Sequence, residues 1–345
     1  MSKVFLIVFV IFGTVVGSGF SSGKEIMIFF SRFGVLSYLY ILLAGFGFFW
    51  LFYFFLTYGQ KVLKKVENSK TLNWIIFLIS LVFCASMFAG MKSLFYYFQP
   101  WLYFVLVAGL IVLCFVVTLK GLKALEKVNA ILMPATSIIF LTVLIYGIFV
   151  SSDIFIQTNS WAGFLYSPLY VALNSSMSGL VIAKFSGTLN KKQTFLTCLF
   201  STLLLTAFLL FGNFVLQRNT ESFISEMPFL YIVRDNAFMF VLAYIVILVG
   251  CFTTLISLTM TIKSSFQKCF KSEMVASFFA VFVPFLISTL GFSDIVTFLY
   301  PLCSVLGILL LIYFVFDVIF NKNVDKIIFG SKNSGRKIFK KIIKK

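Results

Sequence analysis

GTVVGSGFSSG, from Gly13 to Gly23, interrupts the first apolar stretch of the chain. Val4 to Phe12 and Ile26 to Phe30 are together long enough to cross a bilayer, yet four of the eleven residues from Gly13 to Gly23 are glycine and four are serine or threonine. Each glycine costs about 1 kcal/mol relative to alanine inside a helix. Irregular backbone at membrane depth is tolerated only where it is buried in protein or lines a cavity. The stretch is therefore expected to be unwound. Its freed amides and carbonyls would be available to a charged solute and an ion, and the N-terminus of the following half-helix would add partial positive charge. A second reading is open, because Gly13 with Gly17, and Gly19 with Gly23, have the small-xxx-small spacing by which intact membrane helices pack closely. Ser18, Ser21 and Ser22, followed at once by Lys24 and Glu25, favour the break, since charges inside a spanning segment are costly and mark function. Lys24 and Glu25 are read as a gate or proton site, against the alternative of a solvated helix end.

The 345 residues are 61% hydrophobic and only 11% charged, with apolar runs longer than an ordinary core helix. This is the composition of a polytopic, all-α membrane protein. The first segment has no small-residue cleavage site at its end and is expected to stay in the mature chain. The absence of histidine excludes imidazole-activated nucleophiles, His-ligated metals and histidine proton relays. The six cysteines show no CxxC spacing and indicate neither a disulfide framework nor a zinc site. With no paired acid and base, metal cluster or activated nucleophile at membrane depth, an enzyme is not expected. No cofactor is expected beyond a sodium ion.

Apolar spans fall at about 4–30, 34–58, 72–98, 101–119, 128–150, 165–184, 194–216, 237–262, 274–291 and 294–319, ten in all. Lysines cluster in alternate connections, and of the 28 basic residues only Lys24, Arg32, Lys92, Arg218 and Arg234 fall on the opposite side. The positive-inside rule then places both termini in the cytoplasm of a cell-membrane protein. Residues 1–320 are expected to form the membrane domain, in halves of about 1–150 and 160–320, followed by a basic tail at 321–345. The tail ends in RKIFKKIIKK, with Ile338, Phe339, Ile342 and Ile343 on one helical face. That pattern suits an anionic leaflet, and with lipid adjacent this partner is preferred to nucleic acid. Between the seventh and eighth spans, Pro228 starts a short amphipathic helix readable as a lid over the outer mouth or as an interfacial anchor. The sequence sets no oligomeric state.

The sixth span, SPLYVALNSSMSGLVIAKFSG, gathers Asn174, Ser175, Ser176, Ser178 and Gly179 near its middle. It is expected to break like the first. Two units of five helices would be inverted relative to each other, and a pair of interrupted segments at corresponding positions marks a transporter binding site. The alternative is a serine-rich packing face. In the eighth span Gly250, Thr253, Thr254, Ser257 and Thr261 form one stripe, whose oxygens suit either a hard cation or interhelical hydrogen bonds.

The ten-span count, the GTVVGSG break, the expected sixth-span break and the threonine pair together resemble the amino acid, polyamine and organocation transporter superfamily with the LeuT fold. The longer string GTVVGSGFSSGKEIMIFF looks most like the YkvI-type membrane proteins placed there. The resemblance implies a secondary transporter for an amino acid or similar small zwitterion. It implies a sodium site from the carbonyls of Gly13 and Val16 and the hydroxyls of Thr253 and Thr254. The amides of Ser18 and Gly19 would hold a substrate carboxylate, with Thr14, Gly17, Asn174, Ser175 and Ser178 completing the solute site. Phe20 stands where sodium symporters of this group carry an asparagine, and the tyrosine that the third helix contributes has no clear counterpart. Proton-coupled members can place a lysine on the fifth helix, and Val128 to Val150 has none. A proton-coupled carrier, a channel and a non-transporting scaffold are the competing functions.

Overall fold

The computed structural model describes residues 3–95, 100–150, 160–267 and 270–318. The basic tail at 321–345 lies outside them. Among the described residues the chain is helical with short turns and no strand. The first segment is three pieces, α1 (Lys3–Val15), α2 (Ser18–Ser21) and α3 (Lys24–Phe29), followed by a 3-10 turn, Ser31–Leu36. Then come α4 (Ser37–Asn68), α5 (Lys70–Phe95), α6 (Pro100–Lys120), α7 (Leu122–Val150), α8 (Gly163–Ala183) and α9 (Lys191–Gln217). The short α10 (Pro228–Ile232), α11 (Ala237–Phe266) and α12 (Glu273–Ile287) follow, and α13 (Phe292–Val318) closes the described chain.

Among the described residues seven helices are long and apolar enough to cross a membrane, and the interrupted first segment, α6 and α8 are packed among them. Phe46, Trp50, Trp74, Ile131, Ile138, Phe149 and Leu203 are exposed on the outside of the bundle, an arrangement that only lipid makes favourable. Helix starts carry local signals. Asn190 and Gln193 form a reciprocal capping box at α9, and the Asn236 side chain accepts from the Met239 amide at α11. α1 is held inside, against α7, α8, α9 and α11. Its bare backbone therefore meets protein rather than lipid.

The break in the first span is present. α1 stops at Val15, Gly17 is extended (φ −94°, ψ −162°), α2 makes one turn, and Gly23 sits in the left-handed region at φ 86° before α3 begins. The expected break in the sixth span is absent, because α8 runs unbroken from Gly163 to Ala183. Its polar groups bond to their own helix one turn back. Asn174 Nδ2 donates to the Tyr170 carbonyl, Ser176 Oγ to Ala172 and Ser178 Oγ to Asn174. Such bonds leave the backbone ladder intact. Gly179 is ordinary helix with the Phe55 ring seated on it. The inverted repeat accordingly loses the paired break on which its reading leaned.

Candidate functional site

Near the end of α1 the Gly17 amide turns to the Val15 carbonyl instead of Gly13, and α11 reaches the Gly13 and Thr14 carbonyls. Thr254 Oγ1 donates to the Gly13 carbonyl at 3.1 Å and lies 3.4 Å from the Thr14 carbonyl. Thr14 Oγ1 and Ser257 Oγ lie 3.0 Å apart, so the hydroxyl stripe of α11 runs along the break. A Cβ at Gly250 would stand 2.9 Å from the Val16 carbonyl. Glycine there is what lets the two backbones meet. Gly13 and Thr254 are thus brought together, with the Val16 carbonyl against Gly250 one turn earlier on α11, and these oxygens are of the kind a hard cation takes. Thr253 is not, since its hydroxyl turns back to the Val249 and Gly250 carbonyls at 3.0 and 3.2 Å.

Asn129 on α7 joins this region. Its Nδ2 donates to Leu125, and its buried Oδ1, without a hydrogen-bond partner, lies where a Cβ on Gly13 would collide with it. Nothing in the sequence links residues 13 and 129; an asparagine in an apolar span was the one available signal.

On the other side of the break the Ser18 amide faces the Met87 sulfur at 3.3 Å, and Ser18 Oγ lies 3.4 Å from Ser86. Gly17 packs against Met87 and Thr254. Gly19 is covered by its own neighbour, for a Cβ there would collide with Oε1 of Glu25. Tyr300, from α13, donates to Ser86 Oγ at 2.7 Å, so a tyrosine does reach this point, from another helix than the third.

Glu25 is wholly buried, and Tyr170 Oη donates to its Oε2 at 3.3 Å. Tyr170 stands one turn before Asn174 on the same face of α8, a pairing visible in the sequence only once Glu25 is placed beside it. Asn174, Ser175 and Ser178 are all buried. Lys24 points the other way, its Nζ donating to the Ser225 carbonyl at 3.1 Å. The two charges, adjacent in sequence, serve different places.

α10 is seated on the break. The Phe229 amide donates to the Ser22 carbonyl at 2.9 Å, the Phe229 ring covers Gly23, and Met227, Phe229 and Leu230 are buried. It is a plug over the interrupted helix rather than a surface anchor. A cavity of about 500 Å³ opens beside it, lined by Ala89, Lys92, Ser93, Ser225, Glu226, Met227, Gly291 and Phe292.

Fold and site together define a helical membrane protein built around one interrupted, protein-enclosed helix. No protein-family model matches the chain. It is 24% identical over 323 residues to YkvI, an uncharacterised membrane protein of Bacillus subtilis (strain 168), covering 85% of this chain and 90% of that one. In three dimensions it is similar to Mhp1, a nucleobase-cation-symport-1 family transporter solved in a closed conformation with bromovinylhydantoin bound. That match has a TM-score of 0.58 and 13% identity, and covers 87% of this chain and 74% of Mhp1. The chain therefore has the LeuT-like fold of that transporter.

Proposed function

We propose that this protein is a secondary active transporter of a small organic solute, an amino acid or similar zwitterion, working by alternating access in the cell membrane. Its helices form two inverted units of five, with both termini cytoplasmic. A sodium ion is the coupling substrate, taken by the carbonyls of Gly13 and Val16 and the Thr254 hydroxyl, without Thr253. The carrying observation is the contact of Thr254 with the Gly13 carbonyl at the end of α1. It sets hydroxyl oxygen beside unwound backbone, and neither a scaffold nor a simple pore requires an enclosed broken helix.

Purified protein in liposomes, given radiolabelled amino acids, tests this. An inward sodium gradient should drive accumulation well above that in potassium-balanced vesicles. Uptake driven by a pH gradient and indifferent to sodium would keep the transporter and move the coupling to Glu25, the buried carboxylate that favours this second reading. No uptake under either gradient would overturn the transporter reading.

A further inference from the structure

Of the eleven acidic residues in the chain, Glu25 is the only buried one among those described. Its Oε2 has one long hydrogen bond, from Tyr170, and its Oε1 has no partner. Asn174 follows Tyr170 by one turn on the same face of α8. Because Asn174 Nδ2 donates to the Tyr170 carbonyl at 2.9 Å, the amide orientation is fixed and Oδ1 is the free end, buried and also without a partner. What this corner leaves unused is therefore acceptor, and one of the acceptors is a carboxyl group.

We propose that Glu25, Asn174 and Tyr170 form a receptor for an ammonium group, and that Glu25 releases a proton when that group binds. The biological purpose rests on the transporter reading above; the binding chemistry does not. An ammonium carries three donors and one positive charge, which matches two orphan acceptors of which one is ionisable. Phe29, Phe30 and Phe48 pack their rings 5.1, 5.0 and 5.8 Å from that of Tyr170, which encloses the corner in aromatic side chains and keeps water away. A ligand carboxylate would meet Glu25 instead.

An ionised carboxylate with a single long hydrogen bond is too costly to keep at such burial, so the unliganded group holds its proton. The charges on neighbouring elements are engaged elsewhere. Lys24, on α3 itself, reaches Ser225; Arg32, on the 3-10 turn, lies over the rings of Phe33 and Tyr166. α8 presents Tyr170 and α13 presents Tyr300, whose hydroxyl is committed to Ser86. α2 has no titratable side chain, and α9 meets α3 through Gly212 against Ile26. On binding, the carboxyl O–H breaks, its proton leaves to solvent, and the carboxylate pairs with the ammonium.

The probes are n-butylammonium and butyrate, added to full-length protein in lipid nanodiscs in weak buffer near neutral pH. Butylammonium should raise the thermal midpoint and release about one proton per protein, and butyrate should do neither. Glu25→Gln, nearly isosteric, should fold, release no proton and bind at least about tenfold more weakly. Protection by butyrate instead, or an unchanged response in Glu25→Gln, overturns the proposal. Absence of both effects in the wild-type protein overturns it without any variant. Undiminished liposome transport of an amino acid by Glu25→Gln would sink this site and leave the transporter standing. Ammonium binding through Glu25 with no uptake under any gradient would do the reverse.

Discussion

Gly13–Gly23 and Asn174–Gly179 are both small and polar in the middle of an apolar helix, yet one is unwound and the other is not. The difference lies in which small residues they use. In the first, four glycines include one at a left-handed φ of 86°, a conformation that other residues adopt only with strain. In the second, hydroxyl and amide groups find their own carbonyls one turn back and the ladder survives. Serine and asparagine decorate a membrane helix, whereas glycine in number interrupts it. The consequence is functional: the interrupted segment offers backbone groups to α11 and α10, while α8 offers only side chains.

That contrast can be broken by substitution, and the largest effect is expected at Gly19. Any Cβ there must displace the Glu25 carboxyl, so Gly19→Ala should cut solute binding at least about thirtyfold, equivalent to ~2 kcal/mol. Calorimetric titration of solute into the variant and the wild type measures this. Equal affinities would mean that the glycine serves packing alone.

A middle-sized effect separates the two threonines. Thr254→Val removes the hydroxyl on the Gly13 carbonyl and should raise the sodium concentration for half-maximal uptake by about tenfold, ~1.4 kcal/mol. Thr253→Val, whose hydroxyl faces its own helix, should shift it by less than about threefold, ~0.7 kcal/mol. The opposite ranking would place the ion elsewhere on α11.

The smallest effect belongs to α8. Ser178→Ala deletes one back-bond to Asn174 and should alter stability by about 0.6 kcal/mol or less, leaving transport intact. A large loss of uptake with unchanged unfolding would give Ser178 a direct role at the solute.

The membrane class, the break at Gly17 and the threonine stripe were legible because each is a local property of composition or spacing. Thr253 and Thr254 could not be ranked that way. Adjacent residues on a helix point about 100° apart, so only one of the pair faces α1, and which one depends on how α11 is rotated. Asn174 and Ser178 suggest an unwound site from sequence, because a run of side chains does not reveal that their partners are the carbonyls of their own helix. Glu25 was visible as a charge in an apolar span, but Tyr170 lies 145 positions away and Asn129 pairs with α1 across the fold. Those contacts belong to topology.

Hydrogen–deuterium exchange, followed by mass spectrometry on the nanodisc-embedded protein, tests the contrast most directly. Peptides covering residues 13–25 should exchange at least about tenfold faster than those covering 170–180, since single turns interrupted at Gly17 and Gly23 open at less cost than one continuous helical ladder. Sodium should slow the first set and leave the second unchanged. Equal protection of the two segments, or a sodium response confined to 170–180, would contradict the account that one interrupted helix is the working centre of this protein.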